Sequence, residues 1–199
     1  MLENILAWLW DNKVQVLGAV FGLVYIYFSI RQHILTWPIG LLSSVFYVFI
    51  FFQTGFYADM GLQVYYVVIS IYGWYFWLKG KRSDDEKKVP VKTTTKVLWL
   101  KIFAITFLIF LIILYILKNC TDSTVPVMDS LTTAFSITAT WMLARKYIEH
   151  WIIWIFVDFV SVGLYIYKNL WPTVILYIVF TVMAFLGFIE WKKDLKTNK

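Results

Sequence analysis

Seven stretches of this chain are apolar over about 17–25 residues, the length that an α-helix needs to cross the hydrocarbon core of a membrane. A soluble domain of 199 residues has too little interior to bury a sequence that is 61% hydrophobic and 21% aromatic. The pattern therefore predicts an all-α integral membrane protein with seven transmembrane helices. The predicted spans are residues 14–30, 37–54, 61–78, 97–117, 127–144, 151–167 and 172–190.

Part of the sequence is repeated without a gap, because residues 31–79 align with residues 145–193 when they are shifted by 114 positions. The coincident residues are Arg31 and Arg145, Trp37 and Trp151, Leu62 and Leu176, Gly73 and Gly187, Trp77 and Trp191, and Lys79 and Lys193. Repeated hydrophobic bundles are typical of transporters. We predict three-helix bundles at residues 14–79 and 127–193, joined by residues 80–126, which hold a cytoplasmic loop and one crossing helix. That crossing helix makes the two bundles parallel repeats.

The basic residues predict the orientation of the chain. When loops are assigned alternately to the two sides, 15 of the 18 Lys and Arg residues lie on one side. The other three are Lys13, Lys118 and Lys168. Since positive charge is retained in the cytoplasm, we predict an external N-terminus and a cytoplasmic C-terminus.

The segments outside the spans carry two further predictions. The charged connection of residues 80–96 has no apolar periodicity, which predicts a flexible loop. Tryptophans at the ends of the spans are predicted to form the aromatic belt at the membrane–water interface. They are Trp8, Trp10, Trp37, Trp77, Trp151, Trp171 and Trp191.

Asp158 is the most informative residue, because it lies near the middle of the sixth span. An ionised carboxylate at that depth costs roughly 2.5–3.5 kcal/mol on translocon-based scales, so it is a functional-site hypothesis. Trp154, Ser161 and Tyr165 share its helical face at spacings of three and four residues. Such a wall suits a flat polar ligand whose ring stacks and whose positive charge the carboxylate offsets. The alternative is a hydrogen bond from Asp158 to a Ser or Thr that only fastens the bundle.

Two other spans carry polar stripes at helical spacing. They are Gln63, Tyr66, Ser70 and Trp74 in the third span, and Asp129, Thr133, Ser136 and Thr140 in the fifth. These residues either contact a ligand or form hydrogen bonds between helices, which are worth about 0.6–2 kcal/mol in membranes. Neither His33 nor His150 has a second ligand at metal spacing, and no nucleotide-binding or nucleophile motif is present. The sequence thus predicts no metal, no cofactor and no enzyme.

Residues 37–77 and 143–180 resemble the PnuC vitamin transporters. The shared motifs are W-P…Y-x-D…L-Q-x-Y-Y…Y-G-W in the first segment and A-R-K…W-x-x-W in the second. The resemblance implies a SWEET-like three-plus-one-plus-three architecture in the bacterial inner membrane. It also implies uptake of nicotinamide riboside by facilitated diffusion, trapping of the substrate by a cytoplasmic kinase, and a homotrimer.

The resemblance further implies a ligand pocket at mid-membrane between the two triplets of helices. Combined with the polar stripes, it gives eleven candidate substrate-binding residues. They are Gln63, Tyr66, Ser70, Trp74, Thr133, Ser136, Thr140, Trp154, Asp158, Ser161 and Tyr177. Some relatives carry Asn at Asp158 and many carry Gln at Thr140. A thiamine transporter of the same family therefore stays open, as does a non-transporting membrane assembly protein. The expected partners are a small vitamin and membrane lipid, with no nucleic acid.

Overall fold

The computed structural model describes residues 13–54, 57–79 and 89–197. Within these residues the chain forms seven α-helices and one isolated bridge, between Lys92 and Tyr147, but no strand. The helices are α1 (Lys13–Ile30), α2 (Thr36–Thr54), α3 (Tyr57–Lys79), α4 (Lys96–Cys120), α5 (Pro126–Ala144), α6 (His150–Tyr167) and α7 (Trp171–Thr197). Each predicted span coincides with one of them, which confirms the all-α fold.

Four of the described helices, α2, α4, α6 and α7, are long and apolar enough to cross a membrane. The most apolar of them is α4, in which only Ile102 and Thr106 are buried. Its outer face presents large apolar side chains such as Leu100, which is 74% exposed. Lipid can cover such a surface and water cannot, so the chain is a multi-pass membrane protein. Spanning by α1, α3 and α5 stays a prediction.

The chain divides into two compact units, Met1–Ile71 and Tyr72–Lys199. In the first unit, α1, α2 and α3 meet around Gly40. A Cβ atom on Gly40 would lie 3.0 Å from the Tyr25 ring and 3.2 Å from Ser70 Oγ. The absence of a side chain at Gly40 therefore lets Tyr25 of α1 and Ser70 of α3 approach the backbone of α2.

The second unit is built around a core shared by α4, α5 and α6. Its buried members are Ile102, Ala139, Met142, Ile153 and Val157. Beside this core, the hydroxyl groups of Thr106 and Thr138 form a buried hydrogen bond of 2.7 Å that joins α4 to α5. Buried hydroxyl groups need protein partners because the bilayer core offers no water.

The turn between α1 and α2 has the same backbone as the turn between α5 and α6. The second residue of each turn is left-handed, with φ angles of 50° at Gln32 and 58° at Lys146. The next helix begins four residues later in both cases, at Thr36 and at His150. These positions differ by the same 114 residues as the sequence repeat. The local backbone thus supports the repeat, while the arrangement of the two bundles stays a prediction.

The prediction of a flexible loop at residues 80–96 is wrong for residues 89–95, and residues 80–88 lie outside the described residues. We call residues 89–95 the strap. Lys92 N donates to Lys146 O, and Ile148 N donates to Lys92 O, each at 3.0 Å. Thr94 donates twice to the Glu149 carboxylate, through its backbone N and its hydroxyl, both at 2.8 Å. Partners on the α5–α6 turn fix this strap, and local sequence periodicity does not reveal them.

The interfacial-belt prediction is wrong for four tryptophans, and Trp8 and Trp10 lie outside the described residues. The four are almost fully buried, whereas belt residues face lipid headgroups. They are Trp37, Trp77, Trp151 and Trp191, none of which is more than 6% exposed. Trp171, by contrast, is 57% exposed, as a belt residue should be.

Candidate functional site

Asp158 is the centre of the candidate site and lies on α6, in the second unit. Only 4% of its surface is exposed, yet no hydrogen bond or ion pair joins its carboxylate to a residue that the structure describes. The structural alternative, a hydrogen bond to a Ser or Thr of another helix, is therefore not formed within the described part of the chain. A buried carboxylate without a partner is costly, and a cationic ligand would compensate it.

The other predicted residues of α6 continue this face for one turn before Asp158 and two turns after it. Trp154 is half-buried and packs against the core of the second unit. Ser161 is buried, and one turn further on Tyr165 contacts Tyr177 of α7, with ring centroids 5.0 Å apart. The stripe thus offers an aromatic face, an unpaired acid and a hydroxyl group, and Tyr177 joins it from a second helix.

The polar stripe of α5 is buried in its C-terminal half, where it is partly satisfied within its own helix. Thr140 donates to Ser136 O at 2.8 Å, so its hydroxyl can still accept a hydrogen bond. Ser136 itself is buried and Thr133 is half-buried. Asp129, at the start of the same stripe, accepts a hydrogen bond from Ser123 at 2.8 Å and lies 3.8 Å from Lys168 Nζ. The end of the stripe near Asp129 is therefore structural.

The stripe of α3 is divided between the two units. Gln63, Tyr66 and Ser70 belong to the first unit, in which Ser70 is buried and the other two are half-buried. Trp74, which is half-buried, belongs to the second unit together with Trp154 and Asp158.

Sequence reasoning missed two groups that lie beside these stripes. The side chains of Tyr25 and Ser70 both lie over the backbone of Gly40, and the glycine itself was the only sequence signal of this close packing. Arg145 and Lys146 were assigned to membrane topology, but their side chains contact aromatic rings of α3. A cation that follows a span has the same sequence pattern whether it lies in water at the membrane surface or contacts aromatic rings of another helix.

A family described as nicotinamide mononucleotide transporter has a sequence model that matches residues 12–193. The chain belongs to this family. It is a family of membrane transporters and not of enzymes, as predicted, so the alternative of a non-transporting assembly protein is set aside. The match covers all seven described helices except the C-terminal end of α7.

Curated relatives and one solved structure agree with this assignment. The nicotinamide riboside transporter PnuC of Escherichia coli K12 is 24% identical over 89% of this chain and 84% of its own length. The riboflavin/roseoflavin transporter RibM of Streptomyces davaonensis is 26% identical over 92% of this chain and 84% of its own. The crystal structure of the vitamin B3 transporter PnuC has the same fold. It has a TM-score of 0.77 and 23% identity, and the match covers 99% of this chain and 88% of that one.

Proposed function

We propose that this protein imports nicotinamide riboside across the bacterial inner membrane by facilitated diffusion, and that a cytoplasmic kinase then traps the substrate. The observation that carries the proposal is Asp158, a buried carboxylate in the middle of α6 that has no partner among the described residues. Relatives in Escherichia coli and Neisseria mucosa carry the name nicotinamide riboside transporter PnuC.

The chemistry of nicotinamide riboside matches this acid. Its nicotinamide ring is a flat cation, and its ribose presents hydroxyl groups. The cation would offset the charge of Asp158, and the ring would stack on Trp154, one turn earlier on α6. Ser161 and the half-buried Tyr177 would accept or donate hydrogen bonds to the ribose. Under this proposal Trp74, Thr133, Ser136 and Thr140 complete the binding site in the second unit, and Gln63, Tyr66 and Ser70 stay candidate residues of the first unit.

The positions of three other described acids support the proposal of passive transport. Asp129 is held by Ser123, Glu149 is held by Thr94, and Glu190 pairs with Lys193 at 2.9 Å. Asp129 lies in the first turn of α5, Glu149 directly precedes α6, and Glu190 lies two turns before the end of α7. None of these three acids therefore forms a relay with Asp158 at the middle of α6. We expect the substrate to follow its own gradient, without accumulation driven by a proton or sodium gradient.

Uptake into proteoliposomes tests the proposal. Purified protein in liposomes should take up labelled nicotinamide riboside until the inner and outer concentrations are equal. Enclosing a nicotinamide riboside kinase with ATP should then raise the total uptake by trapping. The phosphorylated nucleotide, nicotinamide mononucleotide, should enter much more slowly because its phosphate would be repelled by Asp158. Equal entry of the nucleotide, or no entry of the riboside, would contradict the proposal.

Two other vitamins are the second candidates. Thiamine also carries a cationic aromatic ring, and the relative from Streptomyces davaonensis is named for riboflavin. Riboflavin is neutral at pH 7, so a riboflavin carrier gains little from an unpaired carboxylate. Competition assays with both vitamins against labelled nicotinamide riboside separate the three substrates, since a good competitor shares the site.

The proposed orientation, with the N-terminus outside, has its own test. Single cysteines at Asn4 and Lys199 are introduced into a Cys120→Ser background, because the native Cys120 is exposed. An impermeant maleimide applied to sealed cells should label the cysteine at position 4 only. Equal labelling at both positions would disprove an odd number of membrane crossings.

A further inference from the structure

The α5–α6 turn carries two consecutive cations whose side chains contact the C-terminal end of α3. Lys146 is only 1% exposed, and its Nζ atom lies 4.4 Å from the ring centroid of Trp77 and 5.9 Å from that of Trp191. Both tryptophans are buried. A cation over an aromatic face gains most where water is excluded.

Arg145 and Ala144, which precede Lys146, contact the same end of α3. The Arg145 guanidinium donates through Nη1 to the Tyr72 hydroxyl at 2.8 Å, and its Cζ atom lies 4.8 Å from the Phe76 ring centroid. The indole N–H of Trp77 donates to Ala144 O at 3.1 Å. Residues 144–146 therefore hold the last two turns of α3 at three consecutive positions. We call this set of contacts the cation clamp.

Hydrogen bonds to the strap and to α5 fix the backbone of the clamp at Lys146. Lys146 is left-handed, with a φ of 58°, a conformation that a non-glycine residue adopts only when its surroundings enforce it. Its N–H donates to Leu143 O at 2.9 Å, and its carbonyl accepts from Lys92 of the strap at 3.0 Å. The strap and the end of α3 thus hold the same turn, one through the backbone and the other through the side chains.

The clamp links the two elements that carry the candidate site in the second unit. Trp74 lies on the clamped end of α3, between Tyr72 and Phe76. On the other side of the turn, α6 begins at His150, four residues after Lys146, and carries Trp154 and Asp158 over its next two turns. A binding site must hold its groups to within about 0.5 Å, so a fixed turn between these elements has functional weight.

We propose that Arg145 and Lys146 are positioning residues for transport. By holding the end of α3 at the start of α6, they set the place of Trp74 relative to Trp154 and Asp158. This inference rests on the proposed function for the identity of the ligand. It does not depend on that function for the clamp itself. A clamp that only stabilised the fold would change the stability of the protein and leave transport by each folded molecule unaltered.

The test compares Lys146→Met with Lys79→Met in the full-length protein. Lys79 is the matched control because its Nζ atom lies 4.6 Å from the Tyr75 ring on the same end of α3, where both side chains are exposed. The first readout is hydrogen–deuterium exchange of residues 72–79 without substrate. We expect faster exchange in Lys146→Met and no change in Lys79→Met. Unchanged exchange in Lys146→Met would overturn the clamp, whichever vitamin the protein carries.

The second readout is uptake per folded transporter. Lys146→Met should raise the KM for nicotinamide riboside about tenfold, which corresponds to ~1.4 kcal/mol. Lys146→Arg keeps a cation and should recover part of this loss, and Lys79→Met should stay within about twofold of the wild type. Faster exchange with an unchanged KM and maximal rate would make the clamp purely structural and overturn the positioning role.

Two further outcomes are separated by design. If Lys146→Met does not fold, Tyr72→Phe replaces it in both readouts, since it keeps the ring but loses the hydroxyl that accepts from Arg145. If the wild-type protein does not transport nicotinamide riboside, the proposed function fails. Exchange then still decides whether the clamp exists, and uptake of thiamine or riboflavin by Lys146→Met decides its role.

Discussion

The helices α2 and α6 occupy equivalent places in the repeat but carry different chemistry. A shift of 114 residues places Gly40 on Trp154 and Ser44 on Asp158. Ser44 and Asp158 are both buried, with 6% and 4% of their surfaces exposed. In α2 the missing side chain of Gly40 admits Tyr25 and Ser70 to the helix backbone. One copy of the repeat therefore uses these positions for close helix packing, and the other is free to use them for a ligand.

The turns that precede these helices differ in the same way. Arg31 is exposed and lies 5.9 Å over the Tyr27 ring of its own helix, whereas Arg145 reaches Tyr72 and Phe76 of another helix. The backbone is nevertheless the same in both turns, since both second residues have φ angles between 50° and 58°. The two turns therefore share a left-handed residue at the same position, while the side chains of the α5–α6 turn make contacts that those of the α1–α2 turn do not make in the described residues.

Among the variants that test this difference between α2 and α6, Asp158→Asn should have the largest effect on affinity. The change keeps the shape and the hydrogen-bonding capacity of the side chain but removes its charge. Affinity for nicotinamide riboside should fall by roughly 1.5–3 kcal/mol, or tenfold to a hundredfold, because hydrogen bonds to charged groups lie in this range. Isothermal titration calorimetry in detergent measures it.

The equivalent change in the other copy, Ser44→Ala, is the control for Asp158→Asn. It should alter the affinity less than threefold, because Ser44 is assigned to packing. If Asp158→Asn elutes as a folded protein and binds the vitamin with wild-type affinity, the carboxylate is structural and the division of roles between α2 and α6 is wrong.

Trp154→Ala should give the next largest effect. Loss of ring stacking should weaken binding by about 1–3 kcal/mol, judged from the stacking of bases on aromatic side chains. Trp171→Ala is the control, since Trp171 is 57% exposed at the start of α7. Equal losses of affinity from both substitutions would show a general effect on the protein and would remove Trp154 from the site.

The helices of this chain were predictable because membrane thickness and hydropathy leave few alternatives. A chain with runs as apolar as that in α4 must place them in lipid as helices, so the seven predicted spans coincide with the seven helices of the described residues. The burial of Asp158 was predictable for the same reason, since an acid in such a run is costly when it faces lipid.

The clamp and the strap were not predictable, because they depend on partners that are distant in sequence. A Lys after a span predicts topology whether it faces water or, as Lys146 does, a pair of tryptophans. Trp77 and Trp191 were predicted to lie in the interfacial belt because a tryptophan at the end of a span has the same sequence pattern whether it is exposed or, as here, buried. Strap residues such as Thr94 look like loop residues until Glu149 is placed beside them.

Gly187→Ala tests how tightly the second copy is packed. A Cβ atom on Gly187 would lie 2.5 Å from the buried Trp151 ring, whereas one on Gly40 would lie 3.0 Å from Tyr25. Overpacking a filled core costs about 1–3 kcal/mol, so Gly187→Ala should lower the free energy of unfolding more than Gly40→Ala does. Thermal unfolding in detergent measures both.

Gly163→Ala is the matched control for these two variants. Gly163 is exposed on α6, and its added Cβ would meet no described atom within 4 Å. Alanine has a better helix propensity than glycine by about 0.8–1 kcal/mol, so this variant should be at least as stable as the wild type. Gly187→Ala matching Gly163→Ala would mean that Trp151 moves freely and that the second copy is not more tightly packed.

The smallest effect is expected at the strap, which is hydrogen-bonded to the α5–α6 turn. The equivalent of Glu149 in the α1–α2 turn is Leu35, which is 41% exposed and has no carboxylate for a strap to bind. Thr94→Val removes the hydroxyl bond to Glu149 Oε2 but keeps the backbone bond to Oε1. The loss should be about 1 kcal/mol of unfolding free energy, the net value of one such hydrogen bond.

Thr93→Val, at an exposed neighbouring position, should leave the melting temperature unchanged. Equal melting temperatures for the two variants would show that the bond between Thr94 and Glu149 does not stabilise the protein. The sequence difference between Leu35 and Glu149 would then have no effect on stability.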